Sequence, residues 1–79
     1  MGQRINRLKV VLVEKQRTNK WLAEQLGREY STVSKWCTNT NQPDLVTLAR
    51  IAHLLDVDIR ELLMSGKPKL EDSLQSVGK

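Results

Sequence analysis

The sequence predicts an all-α fold, five helices packed as one small domain. Three observations carry that prediction. Apolar residues recur at three- and four-residue spacings along most of the chain, the period of a helix with one buried face. Helix-starting and helix-ending residues stand between these runs: Thr18, Gly27, Pro43, Asp44 and Asp58. Seventy-nine residues allow one domain, which buries only about 60–65% of its unfolded surface, so the core is modest.

The first helix is expected from Gln3 to about Glu14, with Ile5, Leu8, Val11 and Leu12 inward and Arg4, Arg7 and Lys15 off that stripe. Val10 and Val13 would also suit a strand, but no neighbouring run offers a partner. Lys15-Gln16-Arg17 is a polar link. Thr18 or Asn19 then caps a second helix, a contribution of about 1 kcal/mol relative to Ala. Its inner face is Leu22, Ala23 and Leu26, with Trp21 half-buried beside it. Gly27 follows where a helix end needs left-handed dihedrals. A third helix runs from about Tyr30 to Cys37 with Val33 and Trp36 inward. The small Ala23 lets it cross close, and Val33 fills the crossing.

Residues 38–43, TNTNQP, are turn formers and read as a loop. Asp44 caps a fourth helix, about Leu45 to Leu55. Its inner stripe is Leu45, Leu48, Ala49, Ala52 and Leu55, with Ile51 beside it and His53 at its flank. Val57 packs in the next turn. Asp58 caps a fifth helix, and Glu61 three residues on suits a capping box. Ile59, Leu62 and Leu63 form its apolar face, and Met64 stays exposed as a candidate dimer surface. The domain is expected over residues 1–64. Residues 65–79 shift to Gly, Pro, Lys, Asp and Ser and read as a tail, although Leu70, Leu74 and Val77 are spaced for a short helix that a partner would have to order.

Net charge is +4 and the pI about 9.6, which favours a polyanionic partner. The charge is uneven. Residues 1–43 hold eight Lys/Arg against three Asp/Glu, whereas residues 44–79 hold five against six. The positive field is therefore strongest around the second and third helices. Cys37 is the sole cysteine, which excludes an intrachain disulfide, and a single histidine, His53, excludes a Cys/His zinc cluster. Inert packing is expected for Cys37. No signal-peptide or membrane-spanning run is visible, so a cytoplasmic location is expected. No paired carboxylates, nucleophile–base set or phosphate-binding Gly loop is present, so no enzyme, cofactor or metal is expected.

Helix three leaves Tyr30, Ser31, Thr32, Ser34 and Lys35 on its outer side or leading end. Polar tips on a rigid rod about as wide as the major groove are what a base reader needs. The alternative for each is a solvated polar side chain. Residues 5–63 also resemble the Cro/C1-type helix-turn-helix domain, the XRE family of bacterial and phage regulators. The matching motifs are LAEQLG at 22–27, STVSKW at 31–36, Pro43, and LVTLARIAHLLDVDIRELL at 45–63. They cover about three quarters of the chain, in order and at the family's spacing.

The resemblance implies a lambda-repressor-like five-helix domain that binds double-stranded DNA through its major groove as a homodimer. It implies base contacts by Tyr30, Ser31, Thr32, Ser34 and Lys35, with Lys35 donating to guanine O6 and N7. It implies phosphate contacts by Arg17, Asn19, Lys20 and Arg28 and by the loop residues Thr38, Asn39, Thr40 and Asn41. Asn19 stands where the family usually has Gln. Being shorter, it is expected to reach a phosphate rather than brace helix three. Arg28 replaces a usual Val or Ile, its stem covering apolar surface while its charge reaches water or a phosphate. Glu29 replaces a usual Ser or Asp cap and still suits the helix dipole. Asn39 replaces a common Gly and is the next best residue for a left-handed conformation. The expected function is transcriptional regulation, repression before activation. An antitoxin or a restriction–modification controller of the same fold is an alternative, holding a protein partner through helix five or the tail. A protein-interaction module without DNA binding is an alternative of another class.

Overall fold

A computed structural model describes residues 4–66. Four α-helices follow one another: α1 (Leu8–Glu14), α2 (Asn19–Leu26), α3 (Tyr30–Cys37) and α4 (Leu45–Leu55). A single 3₁₀ turn, Ile59–Leu62, stands where a fifth α-helix was expected. The all-α class holds. The helix count is corrected to four, and the reason lies at Asp58. Its carboxylate accepts from the Arg60 backbone N–H at 2.8 Å and from the Arg60 guanidinium at 3.1 and 3.0 Å. That tight two-residue closure replaces the expected capping box with Glu61, and only four residues remain before the chain extends again at Leu63.

The first helix is also shorter than its periodicity suggests. It begins at Leu8, because residues 5–7 pair with the chain's other end instead of winding into a first turn. The Met64 N–H donates to the Ile5 carbonyl and the Arg7 N–H to the Leu62 carbonyl, each at 2.8 Å. Asn6 bridges antiparallel to Leu63, and its side-chain oxygen accepts from the Leu8 N–H at 2.9 Å, satisfying a donor at the start of α1. Gln3 and the spaced apolar residues Leu70, Leu74 and Val77 lie outside the described residues.

One core joins all the elements. Leu8, Val11 and Leu12 come from α1, Leu22, Ala23 and Leu26 from α2, and Val33, Trp36 and Cys37 from α3. Leu48, Ile51, Ala52 and Leu55 on α4 and Leu62 on the 3₁₀ turn close it. The α4 stripe is centred on Ile51 rather than on Ala49. Leu45 and Ala49 therefore fall on its outer flank and are exposed, Leu45 by 78%, while Thr47 is buried in their stead. Among the described residues no helix is long and apolar enough to cross a membrane.

Two caps fix helix starts. Thr18 Oγ1 accepts from the Trp21 N–H at 3.0 Å, so Thr18 rather than Asn19 caps α2. Asp44 accepts from the Thr47 N–H at 2.7 Å. That backbone bond, with a smaller pull from the charge of Arg28, holds the Asp44 carboxyl below its ordinary range.

Leu22 is fully buried, so Leu22→Ala should lower unfolding free energy by about 2–5 kcal/mol, whereas Leu45→Ala should change it by less than about 0.5 kcal/mol. Denaturant titration followed by circular dichroism measures both, and equal losses would contradict the described packing. A carboxylate whose folded pKa is depressed stabilises above its unfolded pKa, and the gain is lost as pH falls through the folded value. The thermal midpoint of Asp44→Asn, which keeps a capping oxygen but cannot ionise, should therefore fall less than the parent's on acidification below about pH 4.

Candidate nucleic-acid interface

The α2–α3 pair is built as its residues dictate. Gly27 ends α2 at φ +67, with its N–H donating to the Glu24 carbonyl at 3.3 Å and the Arg28 N–H to the Ala23 carbonyl at 3.0 Å. Nothing lies within 4 Å of a Cβ placed on Gly27, so the backbone angle rather than crowding selects glycine there. Three residues later α3 begins. Val33 is wholly buried and Ala23 nearly so, as a close crossing requires.

With Val33, Trp36 and Cys37 inward, Tyr30, Ser31 and Lys35 are exposed, Tyr30 by 57%. Thr32 and Ser34 are half-buried at the edges of the same face. All five expected base readers thus lie along one accessible side of α3. Glu29 occupies the N-cap position in extended conformation, but its side chain caps nothing.

The expected phosphate set divides. Lys20 and Asn41 are exposed. Arg17 is exposed and stacked, its guanidinium 4.4 Å from the centroid of Trp21, which is half-buried as expected. Arg28 lies over Trp36 at 5.9 Å and donates to Thr47 Oγ1 at 3.4 Å. Its head thus lies against the indole and reaches across to α4. Thr38 and Thr40 are exposed, yet their hydroxyls are mutually bonded at 2.8 Å, and Thr38 donates to the Lys35 carbonyl at 3.2 Å. Both hydroxyl protons are therefore engaged inward, and turning one outward costs a hydrogen bond.

Two residues differ from expectation. Asn19 is half-buried, and its side-chain oxygen accepts from Cys37 Sγ at 3.3 Å. The shorter Asn does brace α3, from the far end of that helix. Asn39 is corrected more fundamentally. It has the expected left-handed backbone, φ +62, but it is only 4% exposed, and its side chain is used inside the protein. The oxygen accepts from the Ile5 N–H at 2.7 Å, the Asn6 N–H at 2.9 Å and Gln42 Nε2 at 3.1 Å, and the nitrogen donates to the Asn6 carbonyl at 3.1 Å. It is an internal clasp, not an outward donor. Asn6, which sequence reasoning missed, completes it. Its amide donates to the Trp36 carbonyl at 2.9 Å and to Gln42 Oε1 at 2.7 Å. Its neighbours, Ile5 on one side and Arg7 on the other, carry no signal of that role.

A short helix seated through a three-residue turn on its predecessor, with its polar edge outward, defines a helix-turn-helix DNA-binding domain. The chain belongs to the Cro/C1-type HTH DNA-binding domain family, whose pattern matches residues 7–64. It is similar to a Bacteroides fragilis crystal structure of a protein assigned as DNA-binding, at 57% identity and a TM-score of 0.75, covering 76% of this chain and 97% of that one. A Listeria innocua transcriptional regulator shares the fold, at 23% identity and a TM-score of 0.63, covering 91% of this chain and 72% of that one. No curated protein matches.

Burial pushes the Cys37 thiol above its ordinary pKa, against a smaller lowering by nearby Lys9. A thiol-reactive dye should therefore label the native protein at pH 8 far more slowly than the denatured chain. Equal rates would place Cys37 at the surface.

Proposed function

We propose that this protein binds specific double-stranded DNA sequences and regulates transcription, as a repressor that occupies its operator. The observation that carries this reading is the accessible side of α3, where Tyr30, Ser31 and Lys35 stand clear and Thr32 and Ser34 flank them. Lys35 donates to guanine O6 and N7 in the major groove, the serines and Thr32 bond base edges or phosphates, and Tyr30 meets a phosphate or a thymine methyl. Arg17, Lys20, Arg28 and Asn41 engage phosphates, and a hydroxyl of the Thr38–Thr40 pair joins them by turning outward. Phosphate contacts supply most of the affinity, and base contacts supply the discrimination. Eight residues of reading helix cover a short half-site, so two copies bind half-sites about 34 Å apart, one helical turn of DNA. The basic leading half of the chain and the DNA-binding role assigned to the Bacteroides fragilis relative support the same reading.

Selection of bound duplexes from a random pool should return one motif with two-fold symmetry, and a pool without enrichment would reject sequence-specific binding. On the selected site, Lys35→Ala should weaken binding by about 1–3 kcal/mol and relax the choice at one base pair while leaving unrelated duplexes less affected. Uniform weakening on every duplex would make Lys35 a phosphate contact instead.

A further inference from the structure

We propose that Arg4 is an additional backbone-phosphate contact of this DNA interface, delivered there by the Asn6–Asn39 clasp. The inference rests on the DNA-binding reading above and adds an element from the opposite end of the domain.

The clasp is where two distant stretches of chain become one body. Asn39 lies inside loop 38–41, directly between the exposed Thr38 and Thr40. Its side-chain oxygen takes the N–H of the peptide group that joins Arg4 to Ile5, at 2.7 Å. Arg4 is therefore fixed one peptide away from the side chain around which that loop turns. The loop is tied in turn to the reading helix, since the Thr40 and Asn41 N–H groups donate to the Lys35 carbonyl at 2.9 and 3.2 Å. Asn6 seals the third side through its bond to the Trp36 carbonyl. The last turn of α3, the loop and residues 4–6 are thus connected by buried hydrogen bonds, and buried amides with every partner present resist being pulled apart.

Arg4 itself is exposed. Among the described residues the one ion pair joins Asp58 to Arg60, so Arg4 is not held by a carboxylate there. The pairing of residues 5–7 with residues 62–64 matters to this placement. Had α1 begun at Gln3, Arg4 would ride on a helix face, and the Asn6 N–H would be bonded within the helix rather than to Asn39. An exposed arginine whose backbone is anchored beside a loop that borders the reading helix matches one chemistry above others, the phosphodiester oxygens flanking the groove that α3 enters.

Fluorescence anisotropy on a selected and an unrelated duplex, across a salt series, tests both layers. Salt-dependent binding by the parent is required by the DNA-binding reading, and its absence would remove that reading and this inference together. With parental binding present, Arg4→Ala should weaken both duplexes by the same factor and reduce the salt slope by about 0.9, one phosphate's worth, while Arg4→Lys keeps the slope. Asn39→Gly tolerates the left-handed backbone but removes the anchor of the Arg4–Ile5 peptide, so adding Arg4→Ala to it should cost less than Arg4→Ala costs alone. An unchanged slope in Arg4→Ala, or an undiminished Arg4→Ala loss in the Asn39→Gly background, would overturn the inference while leaving the DNA-binding reading intact. Should Asn39→Gly fail to fold by circular dichroism, the Arg4→Ala and Arg4→Lys slopes alone decide, because removing an exposed side chain leaves the core untouched.

Discussion

Everything this domain presents to a partner depends on how α3 is seated. Eight residues make too short a helix to persist alone in water, so its existence and direction are borrowed from its neighbours. The crossing of Ala23 with Val33 sets its distance from α2. Trp36 anchors its inner side, with Arg28 lying across the indole and reaching Thr47 on α4. The Asn19–Cys37 bond ties its last turn back to the first turn of α2. Apolar contact thus fixes how deep the helix sits, and polar contact fixes its rotation. Rotation is what matters to a reading surface, because turning the helix by one residue would exchange Lys35 for Trp36.

The polar part of this arrangement carries no visible deficit. Among the described residues no buried side-chain nitrogen or oxygen lacks a partner. Asn6, Asn39 and Gln42 satisfy one another and five backbone groups besides, most of them through short bonds between segments thirty or more residues apart. In a chain without Phe and with a small core, such a network adds orientation that side-chain packing alone specifies loosely. The loop after α3 therefore has an interior and an exterior that alternate residue by residue: Thr38 out, Asn39 in, Thr40 out.

The parts legible in the sequence were those governed by local rules. The Gly27 turn, the Asp44 cap and the α2 and α3 faces follow from spacing and residue type within a few positions, and the left-handed Asn39 from the family resemblance. The parts that escaped were governed by distant partners. Nothing near Asn6 announces that it faces Trp36 and Gln42, so Ile5 was counted into a helix whose first turn does not form. Asp58 was read as an ordinary cap because a capping box and a two-residue closure begin with the same residue. Leu45 and Ala49 were taken inward because apolarity was trusted over angle, although Thr47 completes the stripe with its hydroxyl bonded to Arg28. For the candidate interface, the side of α3 was readable because burial of Val33 and Trp36 leaves only one other side. The division of the phosphate set was not, because it turns on which polar atoms are already engaged.

The pairing of Ile5–Arg7 with Leu62–Met64 brings the two extremes of the described chain side by side. Topologically the domain is close to a ring. A short linker across that seam would allow the chain to be reopened elsewhere, for instance at Gln16, an exposed residue whose φ of +58 already strains the link between α1 and α2. Such a permutant would begin with α2 and place the α2–α3 pair first to emerge during synthesis, separating the order in which the helices are made from the order in which they pack.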